Sequence, residues 1–560
     1  MRSSNELRTM LRSIDRKSYP AYKSLSGAYE FGSYKLVIDH VQGDPFASPS
    51  SVHVEIPLKL AGFPTELYEK DWGRIALQDY LTRQFAKQVE AYNFKAKGSG
   101  KSGLISTARC GQEVLERSAC QIGGGKVTAR FLVGFPAFGR TIDAGGLEKI
   151  LFGFLPKCVE NSFFYRCLDQ KAVQAAVYLA EDQQAVRELL KKEKLSAFVA
   201  NGSILPRKSG VSDQPMNGSV PFVSPVSMEQ TLVLPHRGKV TGMAVPQGIT
   251  LIVGGGYHGK STLLSALQMG VYNHVAGDGR EFVITDDTAV KLRAEEGRFI
   301  RRMDISLFIN DLPNKKNTAC FSTMDASGST SQAAGVMESI EAGSNLFLID
   351  EDTSATNFMV RDDFMQQVIS RDKEPITPFL ERARDLYEQA GISTILVAGS
   401  SGAFFYIADK ILQMDAYKPV DITEKVKGLC RDHKAPRIQA PGFQLPSYDF
   451  PFQVRKLPSD RVKVKTFGRD SFSIDRETVD LRYVEQLADG EQTQALASLL
   501  RYALEQAADG RRSLRQVVQV LMDTLDKKGW EPFCGSFVPC GLARPRRQEI
   551  FACLNRYRGQ

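Results

Sequence analysis

Histidine and tryptophan are scarce in this sequence, six and two among 560 residues. The histidines are scattered, and His40, flanked by Asp39 and Asp44, reads as a hydrogen-bonded residue ahead of a metal ligand. The nine cysteines form an odd set without a single Cys-x-x-Cys pair, which excludes a disulfide framework and a zinc ribbon. No run approaches the roughly 20 apolar residues that cross a bilayer. Met1-Arg2-Ser3-Ser4-Asn5-Glu6 lacks the apolar core of a secretory signal, so a cytoplasmic location with no membrane partner is expected. Neither sign of charge dominates, with 72 basic and 64 acidic residues giving +8. No internal repeat is found.

What is present is a phosphate-binding pattern in full. Gly254-Gly255-Gly256-Tyr257-His258-Gly259-Lys260-Ser261-Thr262 satisfies G-x-x-x-x-G-K-[ST]. The β-branched run Ile249-Thr250-Leu251-Ile252-Val253 before it reads as a buried strand, and Leu263, Leu264, Ala266, Leu267 and Met269 after it have helical spacing. Strand, glycine loop and helix together aim backbone N–H groups and a helix N-terminus at β- and γ-phosphates. Lys260 is expected to bridge those phosphates and Ser261 to ligate Mg²⁺, which makes ATP with Mg²⁺ the expected ligand.

Leu346-Phe347-Leu348-Ile349-Asp350-Glu351 is an apolar strand ending in two carboxylates. Asp350 is placed to hold Mg²⁺ through its water shell, and Glu351 to orient and deprotonate an attacking water. Upstream, Ser327 and Gly328 open a helical stretch, 23 residues before Asp350. Asp352-Thr353-Ser354-Ala355-Thr356-Asn357 follows the carboxylates. Phosphate loop, Ser-Gly helix start, carboxylate strand and trailing loop, in that order, resemble the ATP-binding-cassette (ABC) arrangement. The resemblance implies an ABC-type P-loop core of α/β class. It also implies that Ser327, Gly328 and Asn357 close on the nucleotide held by a second copy, so that ATP joins a homodimer.

Two features depart from transporter cassettes. After Thr394-Ile395-Leu396-Val397 the chain reads Ala398-Gly399-Ser400-Ser401-Gly402, with no histidine to contact the γ-phosphate. Ser400 is the nearest polar stand-in; it donates one hydrogen bond but shuttles no charge at neutral pH, so slow turnover is expected. Asn310, a candidate Mg²⁺ or water contact, precedes Ser327 by only 17 residues. That interval is too short for the helical subdomain on which transporter membrane domains dock.

Further segments carry a family resemblance over nearly the whole chain. Ile38-Asp39-His40-Val41-Gln42-Gly43-Asp44-Pro45-Phe46-Ala47, Gly202-Ser203-Ile204-Leu205-Pro206-Arg207, and the phosphate loop with Tyr257-His258 inside it lead the set. Asp480 to Leu487 and Leu542-Ala543-Arg544-Pro545-Arg546 complete it. Together they resemble the stand-alone "predicted ATPase of the ABC class" family, which includes bacterial proteins and a kinetoplastid mitochondrial RNA-binding ATPase. The resemblance implies a soluble cassette with its own N- and C-terminal domains and an ATP site at the positions above.

Punctuation divides the chain into an N-terminal α+β domain (1–210), an ABC-class ATPase domain (220–416) and a basic C-terminal mixed α/β domain (417–560). Helices are expected over Trp72 to Tyr92 and Gln170 to Leu195, and Pro206 to Pro225 reads as a linker or ordered crossover. Gly98-Ser99-Gly100-Lys101-Ser102 mimics a phosphate loop, but Lys95 stands where its first glycine belongs; a flexible basic loop is expected. Phe222, upstream of the phosphate loop, is the candidate base-stacking aromatic.

Positive charge gathers in three places: Arg544, Arg546, Arg547, Arg556 and Arg558 in the tail; Arg461, Lys463 and Lys465 alternating along an expected strand; and Arg511, Arg512 and Arg515. Such rows suit a phosphate backbone, and RNA is the expected partner because no helix-turn-helix or zinc module points to DNA readout. An alternating basic strand also serves as a guarded sheet edge, and arginine tails pair with partner subunits. The expected function is therefore a slow, Mg²⁺-dependent ATPase that dimerises on ATP and clamps or remodels RNA. The alternative is an ATP-driven switch or assembly factor acting on a protein; a transporter motor fits poorly.

Overall fold

In the computed structural model, residues 2–361, 368, 373–433, 435–436, 440–448, 450–454 and 462–559 are described. The chain packs as two units, one made of Met1–Glu181 with Lys528–Arg544, the other of Asp182–Lys527 with Pro545–Gln560.

The first unit is α+β. Ser50–Pro57 alternates buried and half-exposed residues, as a strand with one covered face must, and pairs antiparallel with Lys35–His40 and Lys126–Val133 in a seven-stranded sheet. Helix Asp71–Glu90 covers that face; Phe85 packs at 5.3 Å from Phe131 and 5.0 Å from Phe163 of helix Leu155–Phe163. The segment Gly98–Ser102, expected to be flexible, is pinned instead. Lys101 N–H bonds the Pro45 carbonyl at 2.8 Å, and the buried Ser102 hydroxyl accepts from Ala137 N–H at 3.0 Å. The Ser99 and Lys101 N–H groups are thus engaged by the Ala137 and Pro45 carbonyls of neighbouring loops.

The second unit is α/β. Its six-stranded sheet runs Val290–Leu292, Leu346–Asp350, Ser393–Val397, Ile249–Val253, Lys410–Asp415, Lys418–Asp421. All four pairings among the first five strands are parallel, and the last two strands form an antiparallel hairpin. The central strands are buried on both faces, which explains why they read as unbroken apolar runs. A four-stranded antiparallel sheet holds Leu195–Ala200 against Gly238–Pro246, with Glu229–Leu234 and Val283–Thr285 at its edges.

These pairings bear on the expected domain limits. Leu195–Ala200 lies inside the 1–210 segment yet belongs to the second unit, whose limit falls within the helix Gln170–Lys192. The last strand of the cassette sheet reaches Asp421, beyond 416. The stretch 206–225 is an ordered crossover: Gly202 N–H bonds the Phe222 carbonyl, and Arg207 pairs with the buried Asp278 at 2.8 Å. Between Asn310 and Ser327 there is no helix; strand Phe321–Ala326 returns antiparallel to Arg298–Met303.

The C-terminal segment of this unit carries a three-stranded antiparallel sheet (Val464–Phe467, Ser471–Ile474, Glu477–Asp480) and helices Gly490–Tyr502 and Arg547–Arg556. It is sewn to the end of helix Lys260–Met269. Gln268 Nε2 donates to the Glu485 carbonyl (2.9 Å), Tyr272 Oη to the Gln486 carbonyl (2.9 Å), and Gln486 Nε2 to the Gln268 and Ala289 carbonyls (3.0 and 3.1 Å).

Tail arginines expected at a basic surface are partly internal. Arg546 pairs with Glu549 at 2.6 Å and donates to the Asp287 and Ala289 carbonyls, while Arg556 pairs with Glu295 at 2.5 Å. Glu549 is 1% exposed, so it relies on Arg546 for compensation. Arg546→Ala is expected to destabilise the protein by about 3 kcal/mol, since removing one partner of a buried pair strands the other charge. Equilibrium denaturation in urea measures this; a loss below about 1 kcal/mol contradicts it.

Candidate nucleotide site

Strand register creates the site. Ile252 lies opposite Val397, and Val397 opposite Asp350, so three neighbouring parallel strands end level at one sheet edge. In open α/β sheets, ligands bind at that carboxyl edge. The chain leaves the first of these strands through Gly254, at φ +138°, where a Cβ would stand 2.6 Å from the Met414 carbonyl oxygen. Only glycine combines that conformation with that approach.

The loop then enters helix Lys260–Met269 through Gly259, at φ +98° and with no side-chain cap. The first-turn N–H groups therefore lack intrahelical partners and offer a binding face for an anion. Lys260 Nζ donates to the Gly254 and Gly255 carbonyls at 2.6 and 2.8 Å, which holds the ammonium over the loop. Ser261 is exposed on the first turn and Thr262 half-buried. Gly256 has open space where a Cβ would stand, whereas a Cβ on Gly255 would lie 3.3 Å from the His258 ring. His258 braces the loop. Its Nδ1 accepts from Ala416 N–H at 2.9 Å, tying the loop to the hairpin beside it.

The carboxylates at the end of Leu346–Asp350 have different surroundings. Asp350 is buried, and its Oδ1 accepts from Asp352 N–H at 3.2 Å. Glu351 reaches across to the turn after Ser393–Val397. Its Oε2 accepts from Gly399 N–H (2.6 Å) and Ser400 N–H (2.9 Å), and its Oε1 from the Ser400 hydroxyl (2.7 Å). Burial pushes this carboxyl up, but the donors of Ser400, Gly399 and Ser401 outweigh it and hold the pKa below the usual carboxylate range. Glu351 is thus ionised at neutral pH, and Ser400 touches it directly.

Ser327 is exposed and caps helix Gly328–Glu341; its hydroxyl lies 3.0 Å from that of Thr330. Sequence reasoning missed two residues here. Glu296 Oε1 accepts the Gly328 N–H at 2.9 Å, so a carboxylate already sits at this helix start. Gln332, 1% exposed, donates to the Ser354 hydroxyl and accepts from Ala355 N–H, both at 2.9 Å. It joins the Ser-Gly helix to the loop after the carboxylates; its place five residues after Ser327, on the helix that Ser327 opens, was the available signal.

Other candidates stand apart. Asn310 Nδ2 donates to the Ser306 carbonyl at 2.5 Å, closing its own turn, and makes no bond to the phosphate loop. Asn357 is exposed on the short helix Thr356–Met359. Phe222 is 1% exposed and offers no face for stacking a base. His40 stacks its ring on Phe537 at 6.0 Å and gathers no ligand set.

These residues fit a triphosphate with Mg²⁺: uncapped N–H groups, a cation over the loop, and hydroxyl and carboxylate oxygens from Ser261 and Asp350. Among the described residues no three His, Cys, Asp or Glu side chains gather around one point. Mg²⁺ suits such a sparse set, because it takes much of its octahedral shell from phosphates and water.

Comparison with known proteins agrees with this geometry. The P-loop domain model of the ABC ATPases matches residues 169–447, the model described as ATPase of the ABC class N-terminal matches 4–166, and the MRB1590 C-terminal domain matches 463–560. The uncharacterized protein MJ1628 of Methanocaldococcus jannaschii is 31% identical over 250 residues, 42% of this chain. The match spans about half of that protein's length, 54%. Among solved structures, MJ1267, an ATP-binding cassette of an ABC transporter in its ADP conformation, covers 35% of this chain and 88% of its own at 12% identity and TM-score 0.24. The cassette cbiO1 from Clostridium perfringens covers 42% and 94% at 12% identity and TM-score 0.25. At those scores the two structures carry no argument of their own. Among the described residues no helix is long and apolar enough to cross a membrane.

The depressed Glu351 pKa has a testable sign. Its contribution to stability is complete above the ordinary carboxylate value near 4.5 and is lost as pH falls through the lower folded value. Ser400→Ala is expected to cost about 1 kcal/mol at pH 7, allowing for solvent screening, and less as the pH drops below about 4. Denaturation at a series of pH values checks this; a pH-independent difference speaks against the Ser400–Glu351 bond.

Proposed function

Because the chain belongs to the stand-alone ATPases of the ABC class, we propose that it hydrolyses ATP with Mg²⁺, dimerises on the nucleotide, and clamps or remodels RNA. The observation that carries the catalytic part is the level ending of the strands that lead into Gly254, Asp350 and Ala398. Lys260 and the loop N–H groups bind the phosphates, Ser261 and Asp350 hold Mg²⁺, and Glu351 activates water. Mg²⁺ supplies charge neutralisation between the phosphates. Ser400 keeps the Glu351 carboxylate ionised and aimed, but its bonds compete with water for the same oxygens, which suits slow turnover.

Dimerisation rests on Ser327. Its hydroxyl is exposed at the start of a 14-residue helix and bonds nothing in its own phosphate loop. A second copy's nucleotide is the anion this helix start faces, with Ser327, Gly328 and Asn357 closing on it.

RNA association is supported by the MRB1590-type C-terminal domain and by exposed cations beside aromatics. Lys465 lies over the exposed Phe467 ring at 5.1 Å on the edge strand Val464–Phe467, and Arg515 over Tyr448 at 5.1 Å. That strand begins at Val464, so Lys463 precedes it, and Arg461 lies outside the described residues. Arg511 and Arg558 are exposed; Arg544 pairs with Glu116, and Arg546, Arg547 and Arg556 bond within the protein. This internal use of the tail favours a second reading, an ATP-driven switch on a protein partner.

Glu351→Gln is expected to abolish turnover, retain ATP and sediment as a dimer only when ATP is present; Lys260→Ala is expected to lose nucleotide and stay monomeric. A Glu351→Gln protein that is monomeric in both conditions defeats the dimer. Filter binding of single-stranded RNA should weaken with salt by a log–log slope of about 0.7 per phosphate contact and respond to ATP. Absence of retention at low salt, with an ATP-dependent protein partner recovered instead, selects the second reading.

A further inference from the structure

A phosphate loop holds the charged end of a nucleotide and leaves its base to be held by something else. Bases are held best on the face of an aromatic ring. Phe222 is buried, and strand Glu229–Leu234 carries no aromatic residue. The hairpin tied to the loop does.

Strands Lys410–Asp415 and Lys418–Asp421 are joined by the two residues Ala416 and Tyr417, at φ +45° and +70°. Two-residue turns with both central residues left-handed strongly favour Asn-Gly or Gly-Gly, because a Cβ is unfavourable there. Ala-Tyr is a poor choice for making the turn, so some other demand fixes it.

Two contacts show what holds this turn. Ala416 N–H donates to His258 Nδ1 at 2.9 Å, and Tyr417 N–H donates to the His258 carbonyl at 3.2 Å. Both end on a residue of the phosphate loop. The Tyr417 ring lies against that loop too: a Cβ placed on Gly259 would stand 3.1 Å from its Cδ1. Tyr417 is nonetheless 54% exposed, so the loop covers only part of it. Tyr257, the other exposed aromatic of the loop, is fully exposed and has no such support.

We propose that Tyr417 is the base-stacking residue of the nucleotide site, held against the phosphate loop by His258. This rests on nucleotide binding at Gly254–Thr262. The ring supplies affinity for the base without reading its edges, since every base has a π-face. His258 acts through Tyr417 as a positioning residue.

The test compares ATP with inorganic tripolyphosphate, which has the charge but no base, by calorimetric titration of the full-length protein with Mg²⁺. Tyr417→Ala is expected to weaken ATP roughly five- to a hundred-fold, the range spanned by one base on one ring, and to leave tripolyphosphate within about twofold. Tyr417→Phe should keep ATP within about threefold, because the ring and not the hydroxyl does the stacking. An unchanged ATP affinity in Tyr417→Ala, or equal losses for both ligands, overturns the assignment. Failure of wild-type protein to bind either ligand overturns the phosphate-loop reading itself, and retained tripolyphosphate binding by Tyr417→Ala shows that this variant is folded.

Discussion

Parallel pairing of Ile249–Val253, Ser393–Val397 and Leu346–Asp350 is the constraint on which the rest of the second unit depends. Parallel strands must be joined by crossovers, so each of these connections leaves from the same edge. The glycine loop, the Gly399–Ser401 turn and the carboxylate end are brought level by backbone hydrogen bonding alone. A one-residue slip in any of these pairings turns the strand over, sending Asp350 to the other face of the sheet. The apolar side chains that prevent such slips are therefore as necessary to the site as the residues that line it.

Charge is used sparingly around that edge. Glu351 is held by three donors of one turn, Lys260 by two carbonyls of its own loop, and the start of the Ser-Gly helix by Glu296. Each ionic group thus has a local partner within the chain. A triphosphate entering here competes for Lys260 with neutral carbonyls, which a polyanion displaces readily, whereas Glu296 must give way before a second anion approaches Gly328.

Much of this was legible in the sequence because it depends on local pattern. The phosphate loop, the carboxylate strand and the Ser-Gly helix have strict spacing and apolar flanks, and they occupy the expected elements with boundary shifts of a residue or two. The strand Leu195–Ala200 has its partner, Gly238–Pro246, far along the chain, and a run of polar and proline residues between them looks like a boundary. Tail arginines looked like a basic surface because composition does not reveal that Glu295 and Glu549 lie buried beside them. Phe222 failed for a similar reason, since exposure is a tertiary property. His258 and Ala416-Tyr417 are the opposite case. Their residue types conflict with local turn chemistry, and only the folded arrangement supplies the reason.

The bonds from Gln268 and Tyr272 to the peptides of Glu485 and Gln486 give the helix after the phosphate loop a load at its far end. Its first turn follows the phosphate loop and its last turn bonds the segment that leads into the C-terminal helices. A helix of ten residues is about 15 Å long and stiff over that distance. The phosphate loop and that segment are therefore connected through one stiff element, with the sheet beneath it.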